Sequence, residues 1–425
     1  MKAVLLIFLV TLLYSAKDAR SFQISCADLK SVVVIGQAFL AFSNSGTDDV
    51  PVRYYLSTAK HRQSVEIASF DWSGLETGEF DVSKKTFIVI HGFKSGGQKS
   101  WVLLLKDKII DATQANVILI DWSEGSNKKN YVNAARNTQL ATNRIFNFLQ
   151  QMRIAVNRLN KTGEIQWNHL NFIGHSLGAQ VSGQTAHLLK EDNFWKIDRI
   201  TGLDPARPCF TNVDPSVRLD KDDADFVDII HTQTGTGGSV DGLGLKESIG
   251  HMDFYINGGI EQPACVSKTL KWDNMICSHK LAYKYFTDGI IDALMGYPCP
   301  LQSYSWNGTY VHAQRILSDK LNGVSCTDCP HIGLDAFKSN KRGIFFVVTG
   351  NNEPYCQVGD DDLKNVITVI RKLKRHGLVT TSDSIDYHED ESDPLAALYN
   401  SAHALKFENL TLAYLFTVLV FIFRH

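Results

Sequence analysis

The pentapeptide GHSLG at residues 174–178 places a serine between two glycines, a pattern that suits a nucleophile on a sharp turn. A Cβ atom at either glycine would clash with the neighbouring strand or helix, whereas glycine lets the chain turn. Such a turn would expose the hydroxyl of Ser176 and leave the backbone N–H of Leu177 at a helix N-terminus, where it could stabilise an oxyanion. These residue types predict acyl transfer through a serine nucleophile, provided that a strand precedes the pentapeptide and a helix follows it.

Serine chemistry also needs a general base and an acid that orients the base, because a hydroxyl near its free pKa is a poor nucleophile. In α/β hydrolases both groups follow the serine in the chain, the acid first and the histidine later. Asp204 ends an apolar run and precedes Pro205, which would place its carboxylate at the carboxyl edge of a sheet beside Ser176. A helix cap or a surface group is the alternative role for such a carboxylate. Spacing alone leaves five histidines open as the base: His231, His251, His279, His312 and His331.

The elements that must position these groups are short apolar runs that alternate with longer helical stretches. Four runs rich in Val, Ile and Phe are typical of buried parallel strands: residues 86–90, 115–120, 170–173 and 199–203. The third run leads directly into the pentapeptide, and a helical segment, 179–190, follows it. Residues 131–159 predict a long helix, because apolar side chains recur near one face: Ala134, Leu140, Ile145, Phe148, Leu149 and Met152. The alternation predicts an α/β fold with a central, mostly parallel sheet flanked by helices.

The overall composition is that of a globular protein. The 425 residues carry 43 Lys+Arg against 45 Asp+Glu, a formal charge of −2, and 44% of them are hydrophobic. The balanced charge argues against an extensive basic surface for nucleic acid, and the apolar fraction excludes disorder as the main state. The mean hydropathy of −0.11 is too low for a protein with many membrane spans. The length leaves room for one large domain or two small ones.

Residues 1–19 have the pattern of a secretory signal peptide. Met1 and Lys2 precede twelve residues without a charge, small and polar residues follow, and cleavage is expected between Ser15 and Ala19. The alternative, a short membrane anchor, is disfavoured because ~12 apolar residues do not span a bilayer. Eight cysteines and glycosylation sequons at Asn160 and Asn307 fit an oxidising route to the extracellular space.

The C-terminal part of the chain differs in composition from the rest. Residues 361–402 include the acidic stretch HEDESD at 388–393 and predict a solvated stalk. Residues 403–425 are a hydrophobic tail whose apolar run, 410–423, would reach about 21 Å as a helix, short of the ~30 Å hydrocarbon core. Small residues at 400–402 and a seven-residue spacer precede that run, close to the pattern for GPI attachment. Membrane attachment through this tail and a secreted protein with an apolar C-terminal helix both stay open.

Six stretches of the chain resemble the pancreatic lipase family, in the family's order and through about three quarters of the sequence. They are FIVIHGF at 87–93, VILIDW at 117–122, IGHSLG at 173–178, RITGLDPA at 199–206, GHMDFYINGG at 250–259 and CSHK at 277–280. The resemblance implies the α/β-hydrolase fold and carries a role to each matching site residue. Ser176 would be the nucleophile, Asp204 the acid and His279 the general base. The backbone N–H groups of Phe93 and Leu177 would form the oxyanion hole, and the chemistry would require no cofactor.

The same resemblance implies a metal site and a disulfide. The family binds a structural calcium with two carboxylates and nearby carbonyls, and Asp220 and Asp223 match those carboxylates. Pro215 stands where a glutamate is common, and a solvated acidic loop is the alternative interpretation. Cys265 and Cys277 bracket eleven residues that resemble the family's disulfide-bounded lid, so we expect these two cysteines to pair.

Departures from the family bear on domains, partners and substrate. Only 69 residues follow Cys356, so neither the C-terminal β-sandwich of digestive members nor the colipase it docks is expected, and residues 20–360 would form one catalytic domain. The short lid resembles members that act as phospholipases A1, whereas the loop between His231 and His251 has the longer form found in triacylglycerol lipases.

These observations predict an extracellular lipase that acts on triacylglycerol or neutral lipid at a lipid–water interface, with no nucleic-acid partner. Phospholipase A1 activity on sn-1 esters is the alternative. A non-catalytic, lipid-binding protein similar to insect yolk proteins is the alternative of another class, although those proteins lack the nucleophile.

Overall fold

The computed structural model describes residues 50–376 except 69–70, 129–130, 160–166, 168, 236–241, 267–270, 296–300, 325 and 327. The predicted signal peptide, the hydrophobic tail and most of the predicted stalk lie outside the described residues, as does Asn160. Within the described ranges, no helix has the length and apolar character needed to cross a membrane.

A single sheet runs through the centre of the described fold. Its strands are β1 (Arg53–Ser57), β2 (Val65–Ile67), β3 (Thr86–Ile90), β4 (Asn116–Asp121), β5 (Leu170–His175), β6 (Ile197–Leu203), β7 (Ala224–His231), β8 (Met252–Ile256), β9 (Ser303–Ser305) and β10 (Gly343–Val347). Their spatial order is β2-β1-β4-β3-β5-β6-β7-β8-β10-β9. The strands from β4 to β10 in this order pair in parallel, and β1, β2 and β9 pair antiparallel at the two edges. The mostly parallel sheet is the one that the sequence predicts.

Helices follow most of the parallel strands. They are α1 (Ser73–Thr77), α2 (Ser100–Thr113), α3 (Ser123–Ser126), α4 (Tyr131–Leu159), α5 (Leu177–Glu191), α6 (Lys271–Met295), α7 (Tyr310–Leu321), α8 (Asp360–Ile370) and α9 (Leu373–His376). The bounds of α4 are those predicted from its apolar periodicity. The strand predicted at 170–173 continues to His175, so the first two residues of the pentapeptide belong to β5.

The two faces of the sheet pack against different helices, because successive side chains of a strand point to opposite sides. Ile88 and Ile90 of β3 join a buried cluster with residues of α4 and α5. Phe87 and Val89 join a second cluster with residues of α2 and α6. All five residues of β3 are buried, which explains why the parallel strands appear as uninterrupted apolar runs. The described fold is thus a three-layer α/β structure with one central sheet.

The packed part of the chain extends past the predicted boundary at residue 360. Leu363, Val366 and Ile370 of α8 are buried in a third apolar cluster with Tyr255 and Phe346. The start of the predicted stalk is therefore part of the fold, because one face of this short amphipathic helix covers the edge of the sheet. The acidic stretch that suggested a stalk begins later, outside the described residues.

Candidate active site

Ser176 sits on a strained turn between β5 and α5. Its backbone has φ 57° and ψ −120°, a conformation that L-residues rarely adopt. A Cβ atom on Gly174 would lie 2.4 Å from the carbonyl oxygen of Gly178, and one on Gly178 would lie 2.1 Å from the carbonyl oxygen of Ile90. Both glycines are therefore required by close backbone approach, as the sequence pattern predicts.

Asp204 directly follows β6 and is fully buried, with 0% of its surface exposed. Its Oδ1 accepts the backbone N–H groups of Thr232 at 2.8 Å and Gln233 at 3.2 Å. Its Oδ2 accepts Nδ1–H of His279 at 2.5 Å. Both carboxylate oxygens are thus hydrogen bonded, which compensates the cost of burying the charge. The sequence placed Asp204 at the correct edge but gave no sign of the two backbone donors.

His279, on α6, is the one histidine of the five candidates that contacts Asp204. Its side chain is 12% exposed. Because Nδ1 donates to a carboxylate, the neutral ring keeps Nε2 unprotonated, as a general base must. The other four candidates make different contacts: His231 with Asp253, His251 with the Val227 N–H, His312 with the Asn307 N–H, and His331 in a bridge to Gln302.

Main-chain hydrogen bonds hold Ser176 beside the residues that flank Asp204. The Ser176 N–H donates to the carbonyl of Leu203 at 3.0 Å, and its carbonyl accepts the N–H of Ala206 at 3.2 Å, so the turn packs on both sides of Asp204. Among the described residues, Ser176 Oγ and His279 Nε2 form no hydrogen bond. Such bonds are commonly long before substrate binds and shorten in the reacting complex.

The backbone around Phe93 lies directly against the turn. A Cβ atom on Gly92 would be 2.8 Å from Ser176 Cβ and 2.7 Å from the carbonyl oxygen of His175, so only glycine permits this approach. The N–H groups of Phe93 and Leu177 donate to no group in the described part of the chain. Two free backbone donors beside a serine hydroxyl are the arrangement that an oxyanion hole needs.

His91 fixes the loop that carries Phe93. The His91 ring is buried, its Nδ1 lies 3.0 Å from the Gly92 carbonyl oxygen, and its Nε2 accepts the backbone N–H of Trp122 at 3.2 Å. The indole Nε1–H of Trp122 returns a hydrogen bond to the carbonyl of His91 at 2.7 Å. These contacts tie the loop to the end of β4, where Oδ1 of Asp121 also lies 3.4 Å from His91 Nε2.

His175 links the turn to the helix that carries the candidate base. Its Nε2–H donates to the carbonyl oxygen of His279 at 3.1 Å, and the rings of Trp101 and Tyr283 pack against it. Burial, together with the nearby His279 ring, lowers the pKa of His175 well below its usual value, so it stays a neutral donor. The only sequence signal for this contact was its position beside Ser176 in the pentapeptide.

A segment after β7 folds over Asp204. A Cβ atom on Gly244 would lie 2.4 Å from Asp204 Oδ1, and the Leu245 N–H donates to the carbonyl of Pro205 at 2.8 Å. His231, at the end of β7, ties this segment down: its Nδ1 lies 2.9 Å from the Leu245 carbonyl oxygen, and its Nε2 lies 2.9 Å from Asp253 Oδ1. Both ring nitrogens of His231 face acceptors, so the buried ring is held between a strand and the covering segment. Sequence spacing identified His231 only as a candidate base and missed this contact.

Cys265 and Cys277 form a disulfide with an S–S distance of 2.03 Å, the pairing that the resemblance implies. The segment they bracket begins with exposed Val266, and its last part is the start of α6. The disulfide therefore joins this segment to the same helix that carries His279. Each cysteine among the described residues is paired, including a second disulfide between Cys326 and Cys329.

The candidate calcium residues lie in a turn before β7. Asp223 is 3% exposed, its Oδ2 accepts the N–H of Asp220 at 2.8 Å, and the nearest basic group is His187 Nδ1 at 4.0 Å. Burial raises the pKa of the Asp223 carboxyl well above its usual value, and the negative charge of Asp220 adds to the shift. Asp220 is itself 3.4 Å from Arg218 Nη1. A buried carboxylate with so little compensation fits a cation.

Side chains alone do not supply enough ligands for a metal ion at this turn. The described residues contain no group of three or more His, Cys, Asp or Glu side chains that could hold a metal ion. Calcium is commonly bound by two carboxylates with backbone carbonyl oxygens, so carbonyl groups would have to complete the set around Asp220 and Asp223.

The sequon residue Asn307 is exposed just before α7. Its Oδ1 accepts the backbone N–H of Thr309 at 3.1 Å and the Thr309 hydroxyl at 2.7 Å. The second sequon, at Asn160, lies outside the described residues.

Known proteins are similar in sequence to most of this chain. A model of the lipase family matches residues 24–355. Pancreatic lipase-related protein 2 of Mus musculus is 31% identical over 330 residues, 72% of this chain and 63% of the relative. Pancreatic triacylglycerol lipase of Ictidomys tridecemlineatus is 32% identical over 326 residues, 73% of this chain and 66% of the relative. The chain spans just under two thirds of the length of these relatives.

A solved dienelactone hydrolase from Anabaena variabilis is also similar, with a TM-score of 0.28 and 11% identity over 44% of this chain and 69% of that chain. This superposition is too partial to add to the assignment.

Proposed function

The chain belongs to the lipase family, and from this premise we propose that it hydrolyses carboxylic ester bonds of lipids with Ser176 as the nucleophile. The observation that carries the proposal is the meeting of three features at one edge of the sheet. They are a serine on a strained turn, a histidine whose Nδ1 contacts a buried carboxylate, and two backbone N–H groups that have no partner among the described residues.

In the proposed reaction, His279 Nε2 takes the proton of Ser176 Oγ as the oxygen attacks the ester carbonyl carbon. The N–H groups of Phe93 and Leu177 stabilise the oxyanion that forms. The C–O bond to the alcohol then breaks, His279 gives its proton to the leaving oxygen, and an acyl-enzyme remains. Water repeats the sequence and releases the fatty acid. The carboxylate of Asp204 stabilises the protonated ring of His279.

Substrate entry requires movement, because Ser176 is only 5% exposed. The segment bracketed by Cys265 and Cys277 and the segment around Gly244 are the candidates to move. Exposed Val266 would be covered by a lipid surface, which favours opening at a lipid–water interface.

We favour triacylglycerol or neutral lipid as the substrate, and the pancreatic triacylglycerol lipases among the relatives support this choice. Phospholipase A1 activity is the second candidate. It is favoured by the short segment between Cys265 and Cys277, because a short lid leaves more of the entrance free for a phosphate head group. Hydrolysis of trioleoylglycerol and of phosphatidylcholine by the same purified full chain separates the two. Faster release of fatty acid from phosphatidylcholine would reverse our choice.

The test of the nucleophile is Ser176→Ala. We expect turnover of a soluble butyrate ester to fall by roughly four to six orders of magnitude, because the variant can form no acyl-enzyme. Ser305→Ala is the matched control, since Ser305 is an exposed serine on edge strand β9. Near-full activity of the Ser176 variant, with the control also active, would refute the proposal.

We further propose that the protein is extracellular, which its paired cysteines support. Colipase is not required in this proposal. Asp220 and Asp223 would hold a structural calcium, which would stabilise the turn before β7 and take no part in the chemistry. Attachment through a GPI anchor predicts release from cells by a phospholipase C specific for phosphatidylinositol, and absence of release would exclude the anchor.

A further inference from the structure

An open cleft of about 640 Å³ lies at the end of the sheet opposite to Ser176. Its lining includes the residues that enter β3, β5, β6 and β7 at their amino ends, whereas Ser176 follows the carboxyl end of β5. The lining residue Asn171 and Ser176 are five residues apart on one strand, roughly 16 Å. The proposed mechanism therefore makes no use of this cleft.

The charges that line the cleft favour an anion. Two of the three acids of the lining form ion pairs, Asp225 with Lys196 and Asp335 with Lys338, and the third, Asp198, lies 2.9 Å from Nδ1 of His169, which carries a charge only when protonated. Three cations of the lining, Lys84, Lys85 and Arg342, form no ion pair in the part of the chain that the structure describes. The cleft thus presents uncompensated positive charge at its rim.

The guanidinium of Arg342 is held in place by two backbone carbonyls and an aromatic ring, and among the described residues no carboxylate neutralises its charge. Its Nη1 donates to the backbone carbonyls of Ser339 at 2.6 Å and Lys341 at 2.7 Å, and its guanidinium lies 5.0 Å from the ring centroid of Phe226. A guanidinium has five N–H donors in a fixed plane, so the remaining donors can bind a carboxylate.

The floor of the cleft is largely apolar. Its apolar lining includes Phe87, Phe226, Leu334 and Phe337, and Phe337 is exposed beside the ammonium group of Lys85. Asn171 also lines the cleft. The residue is 6% exposed, and its side-chain Nδ2 has no hydrogen-bond partner among the described residues.

We propose that this cleft binds an amphiphilic anion, with a carboxylate head at Arg342 and an alkyl chain along Phe226, Leu334 and Phe337. A pure polyanion would leave the apolar floor uncovered, and a neutral lipid would leave the three cations unpaired. The fatty acid released by the hydrolysis has this chemistry, and in that one respect the inference rests on the proposed function. The charge and shape of the cleft do not depend on it.

The experiment titrates the full chain with sodium dodecanoate, below its micelle concentration, in an isothermal titration calorimeter. Ser176 is first reacted with a long-chain alkyl fluorophosphonate, which loses fluoride as the serine oxygen bonds to phosphorus, so that the acyl site is filled and cannot take the ligand. We expect one saturable site per chain. Sodium acetate, which lacks the chain, and dodecyltrimethylammonium, which has the opposite charge, should show no such site.

Arg342→Gln should weaken dodecanoate binding by roughly tenfold or more, because a charge-assisted hydrogen-bonded pair is lost. Phe337→Ala should weaken it less, through lost apolar contact. Lys341→Gln is the matched control, since Lys341 is the adjacent cation, does not line the cleft, and pairs with Asp328 at 3.0 Å. Its affinity should equal that of the parent, and thermal unfolding of each variant establishes that it is folded.

The proposal is overturned if no saturable site is found, if folded Arg342→Gln binds dodecanoate as the parent does, or if acetate or the alkylammonium ion binds equally well. Failure of the phosphonate to react with Ser176 is a different result, because it counts against the proposed hydrolysis. A comparison of dodecanoate binding by Arg342→Gln and by Lys341→Gln would still test whether the cleft binds this ligand.

Discussion

Two buried carboxylates at opposite ends of the sheet, Asp204 after β6 and Asp223 before β7, differ in how their charge is compensated. Asp204 has no exposed surface, yet two backbone N–H groups and the ring of His279 contact its oxygens. Asp223 is almost as buried but receives one backbone N–H, and the pKa of its carboxyl is raised well above the usual value by burial. The carboxylate of Asp204 thus has three hydrogen-bond donors. That of Asp223 has one, and burial disfavours its charged form.

The comparison indicates what each carboxylate contributes. The hydrogen bonds of Asp204 fix its carboxylate beside Nδ1 of His279, where it can orient the ring and stabilise the imidazolium formed during turnover. Asp223 accepts fewer hydrogen bonds, so we expect its contribution to depend on pH and on the proposed calcium. A substitution at Asp204 should therefore change catalysis, and one at Asp223 should change stability.

Of the carboxylate substitutions that test this comparison, Asp204→Asn should have the largest effect. The amide cannot stabilise the protonated ring of His279 and favours the wrong tautomer, so kcat should fall about 10⁴-fold. The measurement is steady-state hydrolysis of a soluble butyrate ester, with thermal unfolding as the check on folding. A folded Asp204→Asn protein that keeps more than a tenth of the parent kcat would show that the contact with His279 does not serve catalysis.

A smaller effect on catalysis is expected from Asp253→Asn, which tests a third buried carboxylate. Asp253 contacts His231, and His231 holds the segment that covers Asp204. Loss of this contact should misplace the acid slightly and lower kcat by roughly 10- to 100-fold, with less change in KM. The control is Asp225→Asn, an exposed acid of the neighbouring strand whose partner is Lys196. Equal activity of the two variants would mean that the His231 contact does not position Asp204.

The smallest effect concerns Asp223 and appears in stability. Because the folded-state pKa of this carboxyl is raised, the native state binds the proton more tightly than the unfolded state. Without calcium, stability should therefore be highest at low pH and fall as the pH rises from about 4 toward the raised value. Calcium favours the ionised form and should remove this loss, raising Tm by a few degrees at pH 7.

Asp223→Asn isolates this contribution. The variant should lose both the pH dependence assigned to Asp223 and the response to calcium, which scanning calorimetry with and without a chelator measures. An equal rise of Tm with calcium in the parent and in Asp223→Asn would place the calcium elsewhere. Activity of the calcium-free variant should match that of the calcium-free parent.

The sequence predicts the strands, helices and turn that carry this site better than it predicts the contacts between the site residues. Strands β3 and β5 and helix α4 follow from apolar runs and periodicity, because burial on both faces or on one face leaves a clear pattern. The turn at Ser176 follows from two glycines whose Cβ atoms would meet backbone. Asp204 follows from its place after an apolar run. Each of these signals is local in the chain.

The residue types alone could not identify the hydrogen-bond partner of each side chain in the site. Five histidines had suitable spacing, and only the family resemblance favoured His279, because the contact with Asp204 joins residues 75 positions apart. The roles of His175 and His231 depend on hydrogen bonds to the carbonyls of His279 and Leu245, and carbonyl positions leave no trace in residue type. The acidic residues that follow α8 likewise suggested a solvated stalk, although the helix itself packs against the rest of the fold.

The most direct test of the central claim is labelling by a fluorophosphonate probe, which reacts with an activated serine. The full chain and Ser176→Ala are treated in parallel, and the modified peptide is identified by mass spectrometry. Our account predicts one label at Ser176 in the parent and none in the variant. A folded parent that takes no label, or one labelled at another serine, would contradict the assignment of Ser176 as the nucleophile and favour a lipid-binding protein without catalysis.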